Sequence, residues 1–455
     1  MQIHSGIFRE YDIRGIVGDD LTEAAAELVG RAFGTELAER EAPRVVVGHD
    51  NRPSSPQLSA ALCRGLCAAG VDVTTVGTVP TPALYFAAIE FGSDAGIQIT
   101  GSHNPPEYNG IKMVRDGGAL YGEAIRALRD RIEAGAFASG RGEQREEEIL
   151  DRYVEEIAAR GRVEGDVRMV LDCGNGAGSV VAVRALTAAG VEVDGLYCES
   201  DGTFPNHHPD PTVDEYIQDL IARVRDTGAD LGVGLDGDAD RIGAVTEEGR
   251  IIRGDHLLLL FAREVLAERP GAEVVFDVKC SQALPRVIRS DGGIPVMWKT
   301  GHSLIKERMR AGRSPIAGEM SGHICFADRF FGTDDAIYAA ARLAGLVARA
   351  GRPLSELAAE IPSYPSTPEL RLDCPEDRKF GLVEEAVRYF KERHKVIDID
   401  GARVLFDGGW LLIRASNTQP VVVARIEADT GGRMQEIAGV ARTFLAGQGV
   451  DLPAV

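Results

Sequence analysis

The chain has 455 residues, 44% of them hydrophobic, which is too long for one core and sets an expectation of roughly two to four domains. Its formal net charge of −20 argues against a polyanionic partner such as nucleic acid or an anionic membrane, since both select basic surfaces. A small anionic substrate remains possible, since charges beyond the ~8 Å Debye length are screened and a local basic pocket still works.

No apolar run reaches the ~20 residues that span a bilayer. The opening segment MQIHSGIFREYDIRG has neither the basic start nor the apolar region of a signal peptide. The seven cysteines are scattered, with Cys63 and Cys67 one helical turn apart; they lack metal-ligand spacing and read as reduced thiols of a cytoplasmic protein.

In chain order, one supersecondary pattern appears three times, from Arg44, Arg168 and Glu273. Each copy runs strand, polar loop, helix, glycine stop, strand over roughly 30 residues, the size of a βαβ unit. In the first copy Ser55 suits the N-cap and Pro56 the first helical position. Leu58, Leu62 and Leu66 share a face, and Gly70 ends the helix. From about 363 onward the pattern changes to a helix (FGLVEEAVRYFKERH), two strand-like runs (RVLFDGGWLLIRAS and PVVVARIEA) and a last helix, with Gly408-Gly409 expected as a hairpin turn. The expected architecture is three similar α/β domains with mixed sheets (1–148, 149–250 and 251–362) and a smaller α+β domain (363–455), around a central cleft.

Four loops carry chemistry. In TGSHNPP, Ser102 follows an apolar strand, where α/β sheets place ligands; a serine hydroxyl needs a base or an electrostatic trap, and His103 and Lys112 could supply charge or proton transfer. In DGDADR, Asp236, Asp238 and Asp240 repel one another unless a cation sits among them, and all-oxygen ligation favours Mg²⁺ or Ca²⁺. A calcium EF-hand fails, because Arg241 stands where that loop needs glycine and the flanks read as strands. In GEMSGH, Glu319, Ser321 and His323 alternate on a segment expected to be extended, a comb for sugar hydroxyls. In RASNTQP, Arg414 with Ser416, Asn417 and Thr418, and Arg425 on the next strand, suggests a phosphate cradle. No Walker-type glycine pattern occurs, so nucleoside triphosphates are not indicated.

FREYDIRG, TGSHNPPEYNGIK, LDGDADR, GEMSGH and RASNTQP, in this order and approximate spacing, resemble the α-D-phosphohexomutases over the whole chain. Met320 resembles the phosphomannomutase/phosphoglucomutase branch; the phosphoglucosamine mutase branch usually has glutamine there. The resemblance implies a four-domain protein that interconverts hexose 1-phosphates and 6-phosphates through phosphorylated Ser102 and a hexose 1,6-bisphosphate, which also serves as activator. It implies that Asp236, Asp238 and Asp240 hold Mg²⁺ together with a phosphoserine oxygen, and that His103, Lys112 and Arg241 surround the transferring group. Tyr11 and Arg14 would border the same cleft. Lys279, His302, Glu319, Ser321 and His323 would serve the sugar hydroxyls and proton transfer. Arg414, Ser416, Asn417, Thr418 and Arg425 would hold the unreacting phosphate. The general base stays open, as does the choice between monomer and homodimer. A phosphoglucosamine mutase, a non-catalytic phosphosugar-binding protein and a phosphatase using Asp236 are the rival readings. Glu10, before Tyr11, and the GHDNRPSS stretch depart from the family's usual form.

Overall fold

The computed structural model describes residues 3–417 and 419–454. Val45, Val46 and Val47, in the strand Arg44–His49, are wholly buried, as a parallel strand covered on both faces must be. The helix Ser55–Ala68 begins one residue earlier than expected: Ser54 takes the N-cap position and Ser55 the first helical one. Neither serine caps it through its side chain; Ser55 Oγ is instead drawn to the Asp50 carboxylate.

The three copies of the repeat share one topology. In the first sheet the strands run Asp72–Thr78, Arg44–His49 and Ala95–Ile99 in parallel, with Tyr108–Arg115 antiparallel beyond them. The second sheet repeats this as Glu192–Leu196, Arg168–Asp172, Leu231–Leu235 and antiparallel Ile242–Thr246. The third repeats it as Ile294–Trp298, Glu273–Asp277, Ile316–Gly318 and antiparallel Ile324–Phe326. The turn from the third strand into the antiparallel fourth therefore falls at 100–107, 236–241 and 319–323, the three loops picked out by their chemistry. The second and third units share one hydrophobic core, into which the helix Ala336–Ala350 packs and which takes in Val46, Val79, Leu84 and Phe86 of the first unit; the rest of the first unit has a core of its own.

The C-terminal sheet is wholly antiparallel, in the order Leu370–Asp373, Val421–Ala428, Gly409–Ala415, Ala402–Phe406 and Lys395–Ile397. The helices Lys379–Lys391 and Gly431–Gly447 pack into its core. The hairpin turn is Asp407-Gly408 rather than Gly408-Gly409: Gly409 already pairs with Phe406, and Gly408 carries the positive φ of 74°. Among the described residues no helix is long and apolar enough to cross a membrane.

Candidate active site

Ser102 is buried at φ 49°, in the left-handed region that a non-glycine residue occupies only when its surroundings insist. Arg52 supplies much of that insistence. Its wholly buried guanidinium donates to the carbonyl oxygens of Ser102 (2.7 Å), Asn104 (2.6 Å), Pro105 (2.6 Å) and Tyr108 (3.1 Å), and to Asp50 Oδ2 (3.1 Å). Asp50 Oδ2 also accepts from Gly101 N at 3.1 Å. So held, Ser102 Oγ lies 3.0 Å from Asp236 Oδ2 and 3.1 Å from His103 Nδ1. Burial, then the charges of Arg241 and Arg14, push the His103 imidazolium well below its ordinary value. Arg14 reaches Asn104 Oδ1 (2.7 Å) and Asp12 Oδ2 (2.5 Å).

The aspartate loop presses directly on the serine loop. A Cβ on Gly237 would stand 2.3 Å from the Ser102 carbonyl oxygen, so only glycine permits the approach. Ala239, at φ 59°, repeats the left-handed strain of Ser102. All three aspartates are wholly buried. Asp236 Oδ1 accepts from the backbone of Asp240 and Arg241 (3.1 Å each). Lys112 Nζ bridges Asp238 Oδ2 (2.7 Å) and Asp240 Oδ2 (2.6 Å), and Thr81 Oγ1 donates to Asp238 Oδ2 at 2.5 Å. Burial, then Asp240 and Asp238, push Asp236 well above the usual carboxylate range. Burial also acts against Asp238, but the charge and hydrogen bond of Lys112 outweigh it and hold that carboxyl low.

Asp238 Oδ1 and Asp240 Oδ1 are buried without a hydrogen-bond partner among the described residues. Orphaned carboxylate oxygens among three mutually repelling acids are costly in the protein alone. They fit a divalent cation, and all-oxygen donors suit a hard one. Asp236, Asp238 and Asp240 lie close enough together to share it.

The third loop is not the extended comb the alternation implied. Glu319 N bonds His323 O and Gly322 N bonds Glu319 O, with Gly322 at φ 89°, so the segment folds into a tight hairpin turn. The short flanking strands force the chain to reverse within five residues, which overrides the period-two reading. Glu319 turns inward to accept from Gly301 N at 2.7 Å, and Ser321 is half-buried. His323 Nε2 accepts from Arg241 Nε at 2.9 Å. Its Nδ1 lies 3.0 Å from Asp334 Oδ2, without hydrogen-bond alignment. His302 stacks on His323 at 5.0 Å, and burial, then Lys306, lower its imidazolium to about 4. Lys279 Nζ reaches Glu369 Oε2 at 3.1 Å.

In the C-terminal unit Arg414 Nε binds Asp400 Oδ2 at 3.0 Å, and Ser416 Oγ accepts from Gln419 N at 3.2 Å. Asn417 Nδ2 donates to the Tyr11 hydroxyl (2.6 Å), which donates to the Thr300 carbonyl (2.7 Å). The first, third and fourth units thus meet at one oxygen. Arg425 donates to the Lys279 carbonyl at 2.8 Å and so ties the fourth unit to the third. Thr418 lies outside the described residues.

Sequence reading passed over Arg52, Asp50, Thr81, Asp334, Lys306, Glu369 and Asp400. One signal was available. Asp50, Asp172 and Asp277 each follow or end the first strand of a repeat, and each accepts on Oδ1 from the backbone N two residues on, Arg52, Gly174 and Lys279 (3.0, 2.9 and 2.7 Å). Aligning HDNR, LDCG and FDVK would have exposed that shared turn and the cations that leave it.

The chain matches four consecutive domain families of phosphoglucomutase/phosphomannomutase: α/β/α domain I over residues 5–139, domain II over 151–249, domain III over 253–364 and the C-terminal domain over 369–442. It is 47% identical over 450 residues to a phosphomannomutase/phosphoglucomutase of Pseudomonas aeruginosa, covering 99% of this chain and 97% of that one. It is 45% identical over 436 residues to a phosphoglucomutase of Neisseria gonorrhoeae, covering 95% of each. A crystal structure of a phosphoglucomutase/phosphomannomutase family protein from Burkholderia thailandensis superposes with a TM-score of 0.94 at 44% identity, covering 100% of both chains.

Proposed function

The chain belongs to the phosphoglucomutase/phosphomannomutase family, among the α-D-phosphohexomutases, and on that premise we propose that it is a cytoplasmic mutase interconverting the 1- and 6-phosphates of glucose and mannose through phosphorylated Ser102. The observation that carries this reading is the Ser102 hydroxyl, 3.0 Å from Asp236 Oδ2 on a neighbouring loop, with Lys112 bridging the other two aspartates.

Phosphoserine 102 gives its phosphoryl group to the free O6 or O1 of a bound hexose monophosphate. The P–Oγ bond breaks, a P–O bond to the sugar forms, and the hydroxyl proton passes to a base, for which His323 and His103 are the candidates. The hexose 1,6-bisphosphate turns end for end and the other phosphoryl group returns to Ser102, so added bisphosphate primes unphosphorylated enzyme. Each phosphate carries about −1.5 to −2 charge at neutral pH, which Lys112, Arg241 and Arg14 offset. Mg²⁺ held by Asp236, Asp238 and Asp240 would supply further neutralisation of charge on the transferring group. Arg414, Ser416, Asn417 and Thr418, with Arg425 behind them, accept the phosphate at C1 and at C6 in turn. Lys279, His302, Glu319 and Ser321 meet the sugar hydroxyls, while Tyr11 helps close the site against water.

A site that hydrogen-bonds O3 and O4 tolerates the difference at C2 between glucose and mannose but rejects the C4 epimer. Turnover of glucose and mannose 1-phosphates well above that of galactose 1-phosphate is expected, and equal rates for all three would remove Glu319 and Ser321 from that role. The deciding experiment weighs the protein before and after incubation with glucose 1,6-bisphosphate and maps the added phosphate by peptide. Phosphate on Ser102, absent from Ser102→Ala, is the expected result; mutase turnover without it overturns the reading.

A further inference from the structure

Seven cysteines that look scattered in sequence contain one close pair in space. The parallel strands Arg168–Asp172 and Glu192–Leu196 lie side by side with Asp172 opposite Leu196, and Cys173 and Cys198 hang from their ends. The two sulfurs are 3.0 Å apart. Cys173 is wholly buried and Cys198 partly so. Asn175 and Tyr197 both take left-handed φ, 57° and 51°. The turns they form are bonded to each other without the sulfurs' help: Asn175 N to Tyr197 O (2.8 Å), Asn175 Nδ2 to Glu199 O (2.8 Å) and Asp201 N to Asn175 O (3.0 Å). The scaffold holds the thiols face to face.

We propose that Cys173 and Cys198 form a modification site, a dithiol that a hydroperoxide converts to a disulfide. The partly exposed Cys198 meets the oxidant first. Its thiolate attacks the peroxide, the O–O bond breaks, and Cys198 becomes a sulfenic acid as the alcohol (or water, from hydrogen peroxide) leaves. The Cys173 sulfur then attacks the Cys198 sulfur, the S–S bond forms, the S–O bond breaks, and water leaves with the Cys173 proton. Two thiols have lost two electrons and two protons, and the peroxide has taken them up. A small dithiol reverses the step by exchange. The hydrogen bond between the pair holds Cys198 below its ordinary value, whereas that bond and then burial hold Cys173 well above it, in keeping with these roles.

The pair stands behind the chemistry. Ala177 N, on the Cys173 turn, donates to the Gly237 carbonyl of the aspartate loop at 2.8 Å. Asn51, next to Arg52, donates to Asn175 O (2.7 Å) and Ser200 Oγ (2.9 Å). Closing the sulfurs to the ~2.05 Å of a disulfide draws these turns together and disturbs both catalytic loops. That effect on turnover rests on the mutase reading; the cross-link itself does not.

The test treats the native full-length protein with equimolar hydrogen peroxide, removes the peroxide, unfolds the chain in guanidinium chloride so that the buried thiols are reached, blocks free thiols with iodoacetamide, and digests it without reductant. The expected result is a peptide pair joined through Cys173 and Cys198, lighter by two hydrogens, with two of the seven thiols lost and recovered by dithiothreitol. Cys173→Ser should stop at a sulfenic acid on Cys198, trapped by dimedone, and Cys198→Ser should leave Cys173 unreacted. Cys63 and Cys67 should stay alkylatable throughout. Both cysteines of the pair remaining free while others oxidise, or Cys198 passing to sulfinic acid without a cross-link, overturns the site. With the cross-link present, a several-fold fall in turnover that dithiothreitol restores is expected, and unchanged turnover overturns the coupling to the aspartate loop.

Discussion

Arg52 and Lys279 leave the same turn in two copies of one repeat, each two residues beyond an aspartate that holds its backbone N, and they use their charge in opposite ways. Arg52 spends its guanidinium on four backbone carbonyls and Asp50, and shows no exposed side-chain surface. Among the described residues the Lys279 ammonium keeps a single ion-pair partner, Glu369, and so reaches across to the fourth unit. Two of the three copies thus place a cation at this position, where the second has Gly174, and the cation's reach decides whether it builds a loop or bridges to another unit. A planar five-donor fork suits the first task and a compact point charge on a flexible stem the second.

Breaking the Arg52 side should have the largest effect. Arg52→Lys cannot span the carbonyls, and a misplacement of ~1 Å costs about 10²-fold in rate, so kcat and the rate of Ser102 phosphorylation should fall by about 10²–10³ while KM stays within about threefold. A purely structural role would instead lower stability with kcat per folded molecule unchanged. Gly237→Ala probes the same loop from the other side. Its Cβ would meet the Ser102 carbonyl oxygen at 2.3 Å, and a turnover about 10²-fold lower is expected, with Lys279-dependent binding intact.

On the Lys279 side the effects should be smaller and of another kind. Lys279→Ala should raise KM about tenfold, equivalent to ~1.4 kcal/mol, and leave the Ser102 phosphorylation rate almost unchanged. The smallest effect is a difference in acid sensitivity. The Lys279 charge, and after it that of Arg371, pull the Glu369 carboxyl down to about 2 against its burial, below the ~4.3 of an unfolded chain. Glu369 with its two cations, Lys279 and Arg371, therefore contributes stability above pH ~4.3 that is lost as pH falls toward 2, of order 2–3 kcal/mol by linkage. Arg52 holds mostly carbonyls, which do not titrate. Glu369→Gln should flatten the acid limb of the unfolding curve in that window, and an unaltered curve would mean the Lys279–Glu369 pair adds no stability.

The repeat, the order of the four loops and the clustering of three acids were legible in the sequence because each is local: period, glycine stops and carboxylates at alternate positions. Arg52 was not, since a side chain that binds carbonyl oxygens needs no partner residue type and leaves no spacing to read. The left-handed Ser102 and Ala239 were hidden because their strain is imposed by contacts from other loops. Cys173 and Cys198 separated into unrelated segments until the sheet brought their strands together. Glu319 and His323 misled for the opposite reason. Their alternation is real, but five residues between two short strands have to turn.

The Tyr11 hydroxyl, shared by the Thr300 carbonyl and the Asn417 amide, sets a clock as well as a contact. Two hydrogen bonds of about 1 kcal/mol each add roughly 30-fold to what the other links between the units, such as Arg425 to the Lys279 carbonyl, already favour. Such a contribution is slight enough to leave the units free to part on the microsecond-to-millisecond scale of domain motions. A bisphosphate that has to turn around before its second transfer is in a race against that parting. Tyr11→Phe should tilt the race toward escape, and free bisphosphate would then accumulate in solution during turnover.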